Sequence, residues 1–582
     1  MLNPLRDFVA FDLETTGLER DTDEIIEIGA VRVRNGAIVD RMSCFLKAVK
    51  ALSPLVESLT GIGKEMLEDA IEPKEGLEEF LRFAGGSPLV AHNSDFDAAF
   101  LEHALSKAGM PPLANSVFDS LLLARTAWPA MDSHRLESLV EKLGIPPQKA
   151  HRALPDAEQA AFLWLKAEEK LAGYSPRTQA ALGRVLSTGP AHWRDLFGGA
   201  VDTADIDTMA LMALMAGAGP DKSRQSPSGA AVATPAAKPV EGSSESLFAT
   251  GRIAEAFAAI GHPYQNRPRQ ARMASLAERT LKESRILVAE AEPGTGRLLA
   301  CLVPALRHAQ ARRRPVFVAV PGRKAIERIV ASELPVLKAL LGDGIRVEPL
   351  KSPSSYISPR KLTGILAHPE TRLSGEERLA ILPILTWLEE TVAGDITGNM
   401  GFNHERNRLL WSKLASDTYA AEPGSHAHAA KERAAKAQIV LISHDLFLDD
   451  LALDFALLPT YETIVFDEAH RLPESGQARL GRDVSFFRLK HILQLLAHSK
   501  SDASGLLAEL RRSSGLSPAL EGEATVPRTG SNPAMTVSSD AVLPDAIATG
   551  SAEAPEEAPA ADGTAPAPTL AAAAPKSDLD LL

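Results

Sequence analysis

Hydrophobic positions along the chain form two α/β patterns separated by a polar stretch. From residue 8, the runs FVAFDL and EIIEIGAVRV are dense in β-branched and aromatic side chains, which predicts strands. Glu75–Phe83 and Phe96–Lys107 repeat Leu, Phe and Ala at helical spacing, and SPLVAH is short and apolar enough for a buried strand. Asp156–Leu171 predicts an amphipathic helix with Pro155 at its start, where a missing N–H costs nothing. Residues 173–220 predict short helices. Residues 220–246 hold Pro, Ser, Gly and Ala with few large apolar side chains; such a stretch cannot bury a core and predicts a linker. ESRILVAEA, RPVFVAVP, AQIVLIS and ETIVFDEAH then predict buried strands set between helices, hence a second, parallel α/β sheet. A helical, irregular insertion is expected at about residues 340–430, and from about Ser499 the Ala/Pro/Ser/Glu-rich chain predicts a disordered tail. The expected fold class is α/β, in a first domain at 1–172 and a second at 247–498, with short helices and a linker at 173–246 and a disordered tail at 499–582.

Composition changes this picture little. The 582 residues, 45% apolar and 24% charged, are ordinary for a soluble chain. Two cysteines, Cys44 and Cys301, exclude a disulfide framework and a four-cysteine zinc or iron–sulfur site. The N-terminus lacks the pattern of a signal peptide. The most apolar helical stretch, Met209–Gly219, falls far short of the roughly 20 residues of a membrane span. A cytoplasmic protein with no membrane partner is expected. The net charge of −13 is uneven: residues 500–582 carry five basic and twelve acidic side chains, about half of it. The remainder is mildly acidic and compatible with a local basic groove for nucleic acid. RHAQARRRP at 307–315, followed by Arg323, Lys324 and Arg328, fits either a solvated helix end or a DNA-binding stripe.

The first group of chemically active residues is carboxylate-rich. Asp12 and Glu14, two apart at the end of the first strand in FDLETTGL, point to one face. Thr15, Thr16 and Gly17 then turn the chain, which places both acids at a strand's C-terminal edge, where open α/β sheets bind ligands. HNSDFD at 92–97 puts Asp97 at a helix start, and HRALPDA at 151–157 puts His151 in a loop and Asp156 in the first helical turn. Four convergent carboxylates repel one another unless cations hold them. Two Mg²⁺ or Mn²⁺ ions about 4 Å apart satisfy the set and clamp an in-line phosphoryl displacement. A histidine beside them can take the proton of an attacking water.

In this order, FDLETTG, HNSDFD and HRALPDA resemble the three motifs of the DEDDh 3′→5′ exonucleases, the group that holds the DNA polymerase III epsilon proofreading subunit. LTGIGKEML at 59–67 adds to the likeness, which covers roughly residues 6–172. The resemblance implies an RNase H-like fold, with Asp12, Glu14, Asp97 and Asp156 as metal ligands and His151 as general base.

A second group follows in the order of a superfamily 2 helicase: YQNRPRQARMA at 264–274, EAEPGTGRLLACLVP at 290–304 and VFDEAH at 465–470. With TWLEETVAGDI and AQIVLISHDLFLDDL, and with the exonuclease-like segment in front, the chain resembles the DinG family of XPD-like helicases over about residues 247–480. Over that span the resemblance covers one RecA-like domain. Gln270 matches the adenine-reading glutamine, Gly294, Gly296 and Arg297 fall in the phosphate loop, and Asp467 and Glu468 match the magnesium and water-activating carboxylates. The departures are specific. A phosphate loop needs small residues, a Lys for the β/γ oxygens and Ser/Thr on Mg²⁺. Here Glu292 stands in place of Gly, Arg297 in place of Lys, and Leu298 in place of Ser/Thr. The insertion holds no cysteine, so the iron–sulfur cluster of many relatives is not expected. The roughly 110 residues after the DEAH box are mostly low-complexity, so a second RecA-like lobe is not expected either.

The expected activity is therefore metal-dependent 3′→5′ exonucleolysis of DNA, single-stranded 3′ ends above all, with a helicase-like accessory domain that does not hydrolyse ATP. A replication or repair adaptor that binds DNA or proteins is the alternative, and a working helicase a third reading. The last five residues, DLDLL at 578–582, resemble the bacterial sliding-clamp-binding motif Gln-Leu-Ser/Asp-Leu-Phe. Leu579, Asp580 and Leu581 match it, Leu582 is a conservative change, and Asp578 departs from the Gln. A sliding clamp is thus a candidate partner.

Overall fold

The computed structural model describes residues 2–146, 151–198, 242–249, 251–419, 425–481 and 489. The expected linker at 220–246 falls largely outside them, as do Met209–Gly219, the tail from Ser499 and the clamp-like residues 578–582. Residues 1–483 make one compact unit and 484–582 another; of the latter only Leu489, exposed and helical, is described.

The N-terminal segment builds a five-stranded sheet in the order β3-β2-β1-β4-β5. Its strands are β1 (Phe8–Thr15), β2 (Ile25–Arg34), β3 (Ala37–Phe45), β4 (Leu89–Ala91) and β5 (Val117–Asp119). β1 pairs antiparallel with β2 and parallel with β4, so the first strand sits in the centre. This is the RNase H-like arrangement that the motif order implies. Around it stand α1 (Pro54–Thr60), α2 (Lys64–Glu68), α3 (Pro73–Ala84), α4 (Ser94–Lys107), α5 (Ser120–Ala127), α6 (Leu136–Leu143), α7 (Ala153–Ala172), α8 (Pro176–Leu186) and α9 (Ala191–Leu196). Alternation along β1 splits its side chains between two cores. Val9, Phe11 and Leu13 pack with Phe80 of α3 and Phe100 of α4. Phe8 and Ala10 pack towards the fully buried Trp164 of α7.

The second core does not stop at the exonuclease-like segment. It continues into the insertion through Ile384, Leu385 and Leu388 of the helix Leu382–Glu390, and on through Trp411 and Leu414. Polar contacts close the same seam. The Ser175 hydroxyl donates to Glu389 at 2.8 Å, the Tyr174 hydroxyl to Glu390 at 2.7 Å, and Lys170 pairs with Glu390 at 2.8 Å. The insertion of the helicase-like segment is thus built onto the exonuclease-like body.

The second sheet is parallel, as expected: β6 (Val316–Val320), β7 (Val347–Pro349), β8 (Ile439–Ser443) and β9 (Thr463–Phe466), in the order β7-β8-β6-β9. One expectation fails. ESRILVAEA forms no strand; residues 285–290 lie outside regular structure, with Ile286 95% and Val288 93% exposed. A strand exists only through the ladder it joins, and none of the four strands pairs with this stretch, so its β propensity has nothing to act on. No helix among the described residues is long and apolar enough to cross a membrane.

Candidate active site

Asp12 and Glu14 leave β1 on the face that α7 covers. In register, Asp12 stands opposite Gly29 and Glu14 opposite Glu27 of β2. Gly29 makes the site. A Cβ there would lie 2.1 Å from the backbone of Ala153 and Leu154, so the first turn of α7 reaches the sheet only over a glycine. That approach delivers Asp156, and carboxylate oxygens of Asp12, Glu14 and Asp156 come within 4.8 Å of one another. Asp97, buried in the first turn of α4, accepts the Leu13 N–H at 3.1 Å and is held against β1 beside them. The four predicted carboxylates are thus assembled from two strand positions and two helix starts.

Their electrostatics express the crowding. Burial, then the charges of Asp97, Asp156, Glu14 and Glu27, push the Asp12 carboxyl well above the usual range. Burial and the same repulsion push Glu14 up to about 8. Burial lifts Asp97 to about 8 against the bond from Leu13, and lifts Asp156 to about 6 against the nearby His151. Such a set is stable either protonated or with cations among its oxygens. Four oxygen donors suit a hard divalent ion such as Mg²⁺ or Mn²⁺.

His151 lies at the rim rather than inside the cluster. Its backbone, at φ +57°, turns so that its N–H donates to Asp156 Oδ2 at 3.0 Å. Its ring Nε2 meets Glu137 Oε1 of α6 at 3.1 Å, while Nδ1 makes no hydrogen bond among the described residues. Glu137 was not legible as a partner, because only the packing of α6 beside the loop brings it there.

A second unpredicted residue lies beneath the carboxylates. Glu27 is fully buried and faces Glu14 across the ladder, a like-charge pair that would be destabilising alone. Arg152 answers it with two hydrogen bonds of 3.0 Å, and the Ala153 N–H adds a third at 3.2 Å. Glu27 therefore holds the backbone that carries His151 and Asp156. The signal was present: a glutamate within EIIEIGAV, flanked by Ile on both sides. Glu27→Ala leaves the mostly buried Arg152 guanidinium unpaired and should destabilise the fold by about 3 kcal/mol. A urea midpoint unchanged from the parent would show that the pair contributes nothing.

The residues of the expected nucleotide site also come together, but they bind one another. Gly296, at φ +76°, precedes the helix Arg297–Arg312. Arg297 Nε lies 3.1 Å from Asp467 Oδ1, and its Nη2 forms an ion pair with Glu468. Gln270 Nε2 donates to the Gly296 carbonyl at 2.9 Å. Gly294 also takes a positive φ of 82°, Glu292 pairs with Arg269 on the surface, and Leu298 is buried in the core of the second sheet. In the basic run nearby, Arg314 faces Glu462 at 3.8 Å and Arg323 faces Glu327 at 3.2 Å, the pairing of a solvated surface.

Comparison with known proteins bears on both halves. Residues 9–163 match the family described as Exonuclease. The chain is 27% identical over 523 residues to the 3′-5′ exonuclease DinG of Bacillus subtilis, covering 87% of this chain and 54% of that protein. It is 42% identical over 159 residues to the PolC-type DNA polymerase III of Bacillus cereus, covering 27% of this chain and 11% of that protein. A solved structure of exonuclease X in complex with 5′ overhanging duplex DNA is 26% identical, with a TM-score of 0.24, over 29% of this chain and 94% of that one. The chain spans about half the length of the DinG proteins that it matches. Residues 9–163 are an exonuclease-family domain, carried in a chain that is similar over most of its length to the 3′-5′ exonucleases named DinG.

Proposed function

We propose that the protein hydrolyses nucleic acid, DNA above all, from 3′ ends in a metal-dependent reaction. The observation that carries the reading is the convergence of Asp12, Glu14 and Asp156 within 4.8 Å, with Asp97 locked beside them, in an exonuclease-family domain. Asp12, Glu14, Asp97 and Asp156 would hold two Mg²⁺ or Mn²⁺ ions. Bound there, the ions supply charge neutralisation at the scissile phosphate and lower the pKa of an attacking water. His151, paired on one ring nitrogen with Glu137, takes the proton of that water on the other. Glu27 and Arg152 fix the backbone between the last two motifs.

The helicase-like segment acts as an accessory without ATP turnover. Arg297 already spends its charge on Asp467 and Glu468, so the two acids that would serve a metal–nucleotide are neutralised from within. One set of assays tests both parts. The full chain, given 3′- or 5′-labelled single-stranded DNA or RNA, should release 3′ label first and only with divalent cation present. Products that shorten from the 5′ end, or hydrolysis undiminished in chelator, would overturn the reading. In the same samples DNA should stimulate no phosphate release from ATP; a turnover of about 1 s⁻¹ or more, ordinary for an enzyme, would restore the motor.

A further inference from the structure

The seam between the exonuclease-family domain and the insertion carries two arginines that the proposed chemistry does not use. α5 starts beside the carboxylate cluster. Its cap, Asp119, accepts the N–H groups of Asn93, Ser94 and Leu121, and its charge reaches Asp97. Arg125 lies six residues further on, which at helical rise is about 9 Å along the axis. There the insertion closes over the end of α5. The Gly401 N–H donates to the Pro129 carbonyl at 2.9 Å, and a Cβ on Gly401 would lie 2.5 Å from the Arg125 carbonyl oxygen. Side-chain hydrogen bonds tie the docked turn together. Asn399 donates to the Pro383 carbonyl at 3.1 Å and accepts the Phe402 N–H at 3.0 Å, and Asn403 accepts the Arg406 N–H at 2.9 Å. Arg406, exposed, is carried on this docked turn, and its charge reaches Arg125.

Neither guanidinium makes a hydrogen bond or an ion pair within 4 Å among the described residues, although Arg125 is half-buried. Burial and the charge of Arg406 both act against the charged form of Arg125, with Asp119 pulling the other way. His92 does not complete the pair. Its ring is held by the Ser120 hydroxyl at 3.0 Å and the His134 carbonyl at 3.1 Å, and burial brings its pKa down to about 4, so it is neutral. A half-buried cation with no hydrogen bond or ion pair within 4 Å is costly, and a second cation whose charge reaches it adds to that cost. An anion bound at this seam offsets both costs. The planar, forked donors of arginine suit a phosphodiester.

We propose that Arg125 and Arg406 form a phosphate-binding site for the nucleic acid strand leading into the carboxylate cluster, one arginine from the exonuclease-family domain and the other from the insertion docked on it. The proposal rests on the nuclease reading for the strand's direction. It gives the helicase-like segment a task that needs no ATP: completing the substrate track.

Direct binding separates the two ideas. A labelled single-stranded 15-mer is titrated by anisotropy into the full chain carrying Asp12→Asn, so that no substrate is consumed. Adding Arg406→Ala, on an exposed side chain, should weaken binding about tenfold, the scale of a charge-assisted bond. It should also flatten the slope of log K against log salt by about 0.7, the value of one single-strand phosphate contact. Arg406→Lys should recover most of the slope, whereas Arg406→Gln should not, which a merely structural role at the seam would not produce. Equal affinity and equal slope for Arg406→Ala and its parent would overturn the site. If the slope falls but the wild-type chain cleaves no nucleic acid, the phosphate site stands and the nuclease reading fails.

Discussion

Asp12→Asn should lower hydrolysis of 3′-labelled single-stranded DNA by about 10³-fold or more and, at the same time, make the metal-free chain more stable. Both halves follow from one geometry. The carboxylate is one of three whose oxygens meet within 4.8 Å, so its loss removes a shared ligand. Metal-derived stabilisation of a phosphoryl transition state is worth several kcal/mol, and each 1.36 kcal/mol is a factor of ten. The gain in stability has the opposite origin. Asp12 is held well above its ordinary pKa by burial and by Asp97, Asp156, Glu14 and Glu27. A carboxyl whose pKa is raised on folding binds its proton more tightly in the folded state than in the unfolded one. Stability then falls as pH rises through and beyond the unfolded value. With Asp156 at about 6 and with Glu14 and Asp97 at about 8, that loss extends from about pH 4 to about pH 8. Asparagine carries no such charge. Melting curves in chelator should show the variant above the parent, by more at pH 8 than at pH 5, and added Mg²⁺ should raise the parent more than the variant. A gap that narrows with pH would mean that the acids do not share one site.

His151→Ala should slow the reaction by about 10² to 10⁴-fold, the usual contribution of a general base, with little change in stability. The side chain sits at the rim, 44% exposed, and buries little. Its Nε2 is engaged by Glu137, which fixes the ring as a carboxylate orients a catalytic imidazole. The measurement that isolates the role is the pH dependence of kcat. The parent should gain rate with pH along a limb that the variant lacks, and Glu137→Gln should retain that limb with a smaller loss of rate. An unchanged limb in His151→Ala would leave the histidine only its backbone bond to Asp156.

What was legible in the chain followed from local periodicity. Asp12 and Glu14 share a face because a strand repeats every two residues, and Asp97 and Asp156 fall in first helical turns that their own neighbours specify. The two α/β patterns and the parallel second sheet rest on the same local rules. Partners distant in sequence were not legible. Glu27 meets Arg152 across 125 residues only because β2 pairs with β1 in one register and Gly29 lets α7 approach. Arg297 meets Asp467 across 170 residues. ILVAEA reads as a strand and is not one, because a strand's hydrogen bonds belong to its neighbour. Nor did the sequence announce that the insertion at 340–430 packs on the exonuclease-family domain, since a shared core is a property of facing surfaces. Sequence determined which groups could act, through short-range geometry and residue chemistry. Only the tertiary structure decided which of them face one another, because burial and ion pairing depend on what a fold brings into contact from afar.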